Sequence, residues 1–125
     1  MRKSLIRAVA VAALLGLVGC ARSSIVGSWS GRDEEGAVVV YSFARDGTGY
    51  RVTAGTQETL TYEMTEGYPN LLGITVGAPG GSETREGLVE IRPGGRMRLE
   101  LGEPGGPRPA QLTDQALELS KPATR

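Results

Sequence analysis

The chain has 125 residues, with 14 basic and 14 acidic side chains and a formal charge of zero. It contains no histidine and a single cysteine. These absences exclude Ser-His-Asp and Cys-His nucleophilic centres, histidine-ligated zinc or haem, thiolate metal clusters and an internal disulfide. The expectation is a protein that is not an enzyme and carries no metal and no cofactor. Nineteen glycines and seven prolines favour many short strands and turns over long helices.

Met1 to Arg7 holds three positive charges, and Ala8 to Val18 is an unbroken apolar run. That run is too short to cross a bilayer, which takes roughly 20 apolar residues. A basic segment followed by a short apolar one reads as a secretory signal. It ends in Leu17-Val18-Gly19-Cys20, which resembles the lipobox of bacterial lipoproteins. The resemblance implies cleavage before Cys20, a diacylglycerol on its thiol and acylation of the new amine. Each buried methylene contributes about 0.8 kcal/mol, so one chain anchors marginally and two or three anchor firmly. Residue 21 is alanine where aspartate would imply inner-membrane retention. The resemblance therefore implies lipid anchoring on the periplasmic face of the outer membrane, or on the cell membrane of an organism with one membrane.

Loss of residues 1–19 leaves 106 residues, enough for one domain around one core. Eleven basic side chains then face fourteen acidic ones, a balance that does not suit nucleic acid. Residues 20–24 form a short tether. Ala21, Arg22, Ser23 and Ser24 reach about 14 Å when extended, so the domain should sit close to the headgroups. Residues 25–121 should form the domain, and 122–125 a tail.

Ile25 to Trp29 opens the first predicted strand. Ala37 to Phe43 is rich in β-branched and aromatic residues and places Val39, Tyr41 and Phe43 on one face. Asp46-Gly47 supplies the positive φ of a tight hairpin. In Gly49 to Thr53 the apolar residues Tyr50 and Val52 are assigned inward and Arg51 outward. Thr59 to Met64 alternates cleanly, with Leu60, Tyr62 and Met64 inward. Leu71 to Val76 is a more continuously apolar strand. Gly77 to Glu86 reads as a long polar loop, and Gly87 to Ile91 as a strand. Arg96 to Leu101 alternates strictly, with Met97, Leu99 and Leu101 inward. Gly102 to Pro109 reads as a second long loop, and Ala116 to Ser120 as the last strand, with Leu117 and Leu119 inward. About eight strands at this spacing, without a helix in the mature part, predict an all-β antiparallel barrel or sandwich; closure favours the barrel by removing sheet edges.

Ile25-Val26-Gly27-Ser28-Trp29, with Tyr41-Ser42-Phe43 and Asp46-Gly47-Thr48, resembles the opening of lipocalin-like domains. There a Gly-x-Trp on the first strand closes one end of an up-and-down barrel. Gly87-Leu88-Val89-Glu90-Ile91, Gly94-Gly95-Arg96-Met97-Arg98-Leu99 and Pro104-Gly105-Gly106-Pro107-Arg108-Pro109 are similar to the second half of a family of small bacterial lipocalin-like domains. Those read Gly-Ile-Tyr-x-x-x-Gly-Asp-x-Leu and then Pro-Gly-x-x-Arg-Pro. Val89 replaces the tyrosine, and the Gly-Asp aspartate is missing. The resemblance implies a barrel of about eight strands and a floor made by Trp29. It also implies an arginine from the last strands over the indole, for which Arg96, Arg98 and Arg108 are candidates.

An eight-stranded barrel is filled by side chains or holds one small ligand. Trp29, Tyr41, Tyr62 and Arg108 are the candidate ligand contacts. Arg108 lies between Pro107 and Pro109, so a stiff loop presents its guanidinium, either to an anionic group at the barrel mouth or as a clamp on the barrel wall. Asp33-Glu34-Glu35 lacks the remaining ligands of a calcium loop and reads as a solvated turn. Glu83, Glu86, Glu90 and Glu100 read as outward structural positions, not as a glycosidase pair. The functional expectation is non-catalytic binding of a small apolar ligand. The alternative is an interaction or inhibitor module that uses loops and outer face on another envelope protein.

Overall fold

The computed structural model describes residues 25–78 and 81–122. The signal segment, Cys20 and the tether lie outside the described residues, as do residues 79–80 and 123–125. Eight strands follow in chain order: β1 (Gly27–Arg32), β2 (Val38–Phe43), β3 (Thr48–Thr53), β4 (Thr56–Thr65), β5 (Asn70–Ala78), β6 (Gly81–Arg92), β7 (Arg96–Leu101) and β8 (Leu117–Ser120). Each pairs antiparallel with the next, and β8 returns to β1, giving a closed up-and-down barrel. The expected all-β barrel of eight strands is what the chain forms.

Cross-strand partners share a face, so the register sorts every side chain. Trp29 stands opposite Tyr41, Leu60 opposite Val76, Tyr62 opposite Ile74, and Val89 opposite Leu99. These residues are buried together with Phe43, Leu72, Met97 and Leu119 in one cluster. The Phe43 ring meets Tyr62 edge-on at 4.9 Å and lies parallel to Tyr41 at 6.0 Å. Rings of this size fill a barrel of eight strands. The interior is a packed core.

The structure corrects two sequence expectations. On β3, Arg51 faces inward, opposite Tyr41 and Glu58, while Tyr50 and Val52 face outward, opposite Ser42 and Val40. The β2–β3 turn sets this register by pairing Phe43 with Gly49. A Cβ at Gly49 would run into the Ser42 carbonyl, so the inward position beside the Phe43 ring admits no side chain. Once Gly49 is inward the period of two puts Arg51 there as well, whatever its polarity.

The second correction concerns Gly77 to Glu86, expected as a loop: β5 continues to Ala78 and β6 begins at Gly81, so the described part of this stretch is strand. Val76 pairs with Glu83, Thr75 with Thr84 and Gly77 with Ser82, and the two threonine hydroxyls meet at 3.0 Å. The segment is polar on both faces because it runs past the packed core to the wet end of the barrel. The chain's long irregular segment instead joins β7 to β8, longer than Gly102 to Pro109 alone. It crosses the outer wall: Gly102 and Gly105 donate from their backbone N–H groups to the Glu86 and Thr84 carbonyls, at 2.8 and 2.9 Å. Further along, the Thr113 carbonyl accepts from Arg98 at 2.8 Å, and its N–H donates to Glu100 at 2.7 Å.

Candidate functional site

Up-and-down order assigns each connection to one end. The N-terminal Ile25, the β2–β3, β4–β5 and β6–β7 turns and the C-terminal Lys121 share one end. The β1–β2 and β3–β4 turns, the Ala78–Gly81 pair of β5 and β6 and the start of the β7–β8 segment share the other.

The first end is a floor. Ile25 is fully buried, and its carbonyl accepts the Trp29 indole N–H at 2.8 Å, which satisfies the ring's one polar atom. The cation over the indole is Lys121, with Nζ 4.7 Å from the ring centroid. This corrects the expected arginine. Arg96 and Arg98 alternate with the inward Met97 and so point outward, and Arg98 holds the Thr113 carbonyl. Lys121 follows Leu119 at a spacing of two, which carries it inward, where it packs beside Gly27. Tyr62 reinforces this end, its hydroxyl donating to the Ala44 carbonyl at 2.6 Å.

The second end is a mouth with polar walls. Arg51 Nη2 lies 2.6 Å from Glu58 Oε1, both side chains being about four-fifths buried. Arg85 Nε pairs with Glu83 Oε1 at 3.0 Å on the inward face of β6. Burial works against the charge on Arg51, but Glu58 and Tyr41 together more than offset it and hold the guanidinium above its ordinary range. Burial also pushes the Tyr41 phenol above its usual value, against the pull of the Arg51 guanidinium. Tyr41 therefore keeps its proton and can donate it. Arg51 Nε is buried without a hydrogen-bond partner among the described residues.

A cavity of about 320 Å³ opens here, between Tyr41 and Arg85 on one side and Leu99, Leu101 and Leu117 on the other. It exists because β8 is only four residues long and pairs with β7 no further than Leu99. Leu101 is thus left without a neighbour on its β8 side. No family model, curated protein or solved structure matches this chain.

Of the four expected ligand contacts, Trp29 is in the floor and Tyr62 is buried in the core. Tyr41 is 4% exposed, yet its side chain borders the mouth cavity. Arg108 stands on the outer wall, where Nη2 meets Glu86 at 2.7 Å and Nε donates to the Gly87 carbonyl at 3.0 Å. That is the clamp geometry, and it fastens the long segment to β6. Arg51, Glu58 and Arg85 were missed as site residues. The signal that would have found them is parity: counting by twos from Phe43 through the turn brings Gly49 and Arg51 inward, and counting from Val89 back brings Arg85 and Glu83 inward.

The remaining acidic candidates hold structural partners. Glu90 pairs with Arg92, and Glu100 accepts from Thr113. Asp33 accepts the backbone N–H groups of Glu35 and Ala37, as a turn-forming aspartate does. No group of potential metal-ligating side chains occurs among the described residues.

Proposed function

We propose that this chain is an envelope lipoprotein of lipocalin-like type, acylated on Cys20, with a barrel that acts by binding and not by catalysis. It would stand on the periplasmic face of the outer membrane, or on the cell membrane where there is only one. The ligand-binding end is the mouth. The observation that carries this reading is the pairing of a packed interior with polar groups at one end: Tyr41 and Arg85 border a cavity lined also by Leu99, Leu101, Leu117, Glu100 and Gln115. Its volume of about 320 Å³ is at the lower limit of ligand sites.

Because aromatic and aliphatic side chains pack the middle of the barrel, the small apolar ligand expected from sequence would sit at the mouth. The mouth suits a small molecule with a carboxylate or carbonyl that accepts from Tyr41 and Arg85 and a short apolar body on Leu99, Leu101 and Leu117. A protein partner presenting a chain-terminal carboxylate carries the same chemistry, which keeps the envelope-protein alternative open at this same mouth.

Two measurements test the reading. Metabolic labelling with a clickable fatty acid should mark the wild-type chain and not Cys20→Ala; equal labelling would remove the anchor. Native mass spectrometry of the mature protein, extracted in detergent from its host, should find a retained acid that Arg85→Gln loses. A bare protein, or retention unchanged by the substitution, would remove the mouth site. The mass of the adduct separates a small molecule from a protein partner.

A further inference from the structure

A cavity of about 540 Å³ lies at the floor end. It lies where β6 runs past the start of β5: Asn70 pairs with Val89, and Glu90, Ile91 and Arg92 have no β5 partner. Met64, Ile91 and Leu112 of the β7–β8 segment line it beside Tyr68, together with the charged Glu66, Glu90 and Arg98. Tyr68 is fully exposed, and Leu71, outward at the adjoining start of β5, is more than a third exposed. A fully exposed aromatic side chain beside a groove of mixed apolar and charged lining has no role in the packing of the barrel.

Its place in the fold supplies one. The β4–β5 turn that carries Tyr68 is at the same end as Ile25, and four residues separate Ile25 from Cys20. An acylated Cys20 on a tether of about 14 Å holds this end, and not the mouth, against the bilayer. Tyrosine is amphipathic and settles at the headgroup level, with its ring against acyl chains and its hydroxyl in water.

We propose that the floor end is a membrane-docking face, with Tyr68 set into the lipid interface and the Met64–Ile91–Leu112 groove lying at the same level. This rests on the reading of Cys20 as the acylated residue. The partner is a phospholipid surface, and docking fixes the barrel with its mouth pointing away from the membrane.

The test uses the full chain, processed in a bacterial host and reconstituted into phosphatidylethanolamine–phosphatidylglycerol vesicles. Cys20 is the chain's one cysteine and acylation consumes its thiol, so an introduced cysteine is the one free thiol. Tyr68→Cys is labelled with a polarity-sensitive fluorophore, and so is Gln57→Cys, exposed on β4 at the mouth end. With spin-labelled lipid in the vesicles, the label at 68 should lose most of its emission and the label at 57 should keep it. Equal quenching at both sites, or none at 68, overturns the proposal. So does a blue-shifted label at 68 that spin-labelled lipid leaves unquenched, since that reports a protein partner. Wild type is the control for the anchor. If it takes up the fluorophore, Cys20 is not acylated, and the lipoprotein reading fails together with this one. If it does not, failure at 68 counts against docking alone.

Discussion

At the floor, Trp29 meets Ile25, Phe43 and the Lys121 ammonium; at the mouth, Arg51, Glu58, Glu83 and Arg85 occupy the inward positions of their strands. The same barrel is thus apolar and closed at one end, and polar and partly open at the other. The difference follows strand length. The core layer is complete where all eight strands overlap, and it stops where β8 ends while β5 and β6 continue. Stability should concentrate in the floor and recognition in the mouth, because a group can bind a ligand only if the fold has not already used it fully.

The sharpest break in that comparison is Trp29→Ala. Deleting this buried ring should cost about 3–5 kcal/mol, read as a large fall in the urea midpoint. A midpoint shifted no more than by a mouth substitution would mean that the floor does not dominate stability. Arg51→Ala should cost about 1–3 kcal/mol, the range for leaving a buried polar group without its hydrogen-bond partner, because Glu58 is left about four-fifths buried and unpaired by Arg51. An outward residue on this strand would cost far less, so a loss under about 0.5 kcal/mol would return Arg51 to the solvent face.

Tyr41→Phe sharpens the comparison through pH. The folded-state phenol is raised, so the unfolded chain releases this proton first, near pH 10. The contribution of Tyr41 is fully present below that value and declines as pH rises toward the folded value. Within that window wild type should lose stability relative to Tyr41→Phe as pH rises. Parallel denaturation curves from pH 9 to 11 check it, and curves that stay parallel throughout would mean the phenol is not desolvated. The smallest expected effect is Lys121→Met, a loss of about 0.5–1 kcal/mol from the cation over the indole. A urea midpoint equal to that of wild type would mean that the ammonium over the indole contributes nothing to stability.

The alternation of β-branched and aromatic residues with polar ones was enough to read the barrel, its eight strands and most of its core. Val39, Tyr41, Phe43, Leu60, Tyr62, Met97 and Leu99 are inward because burying their apolar surface in one layer is what the period of two permits. The same pattern misled at β3. There the apolar residues, Tyr50 and Val52, are on the outer face, and steric exclusion beside Gly49 overrode polarity. It misled again at Gly77 to Glu86, where both faces are polar and no hydrophobic contrast marks the strand. Tertiary structure alone decided the Arg51–Glu58 pair, Lys121 over Trp29 and the hold of Arg108 on Glu86, because each joins residues on different strands or segments. Closure of the sheet sets those distances, and local sequence carries no measure of where a strand will find its neighbour.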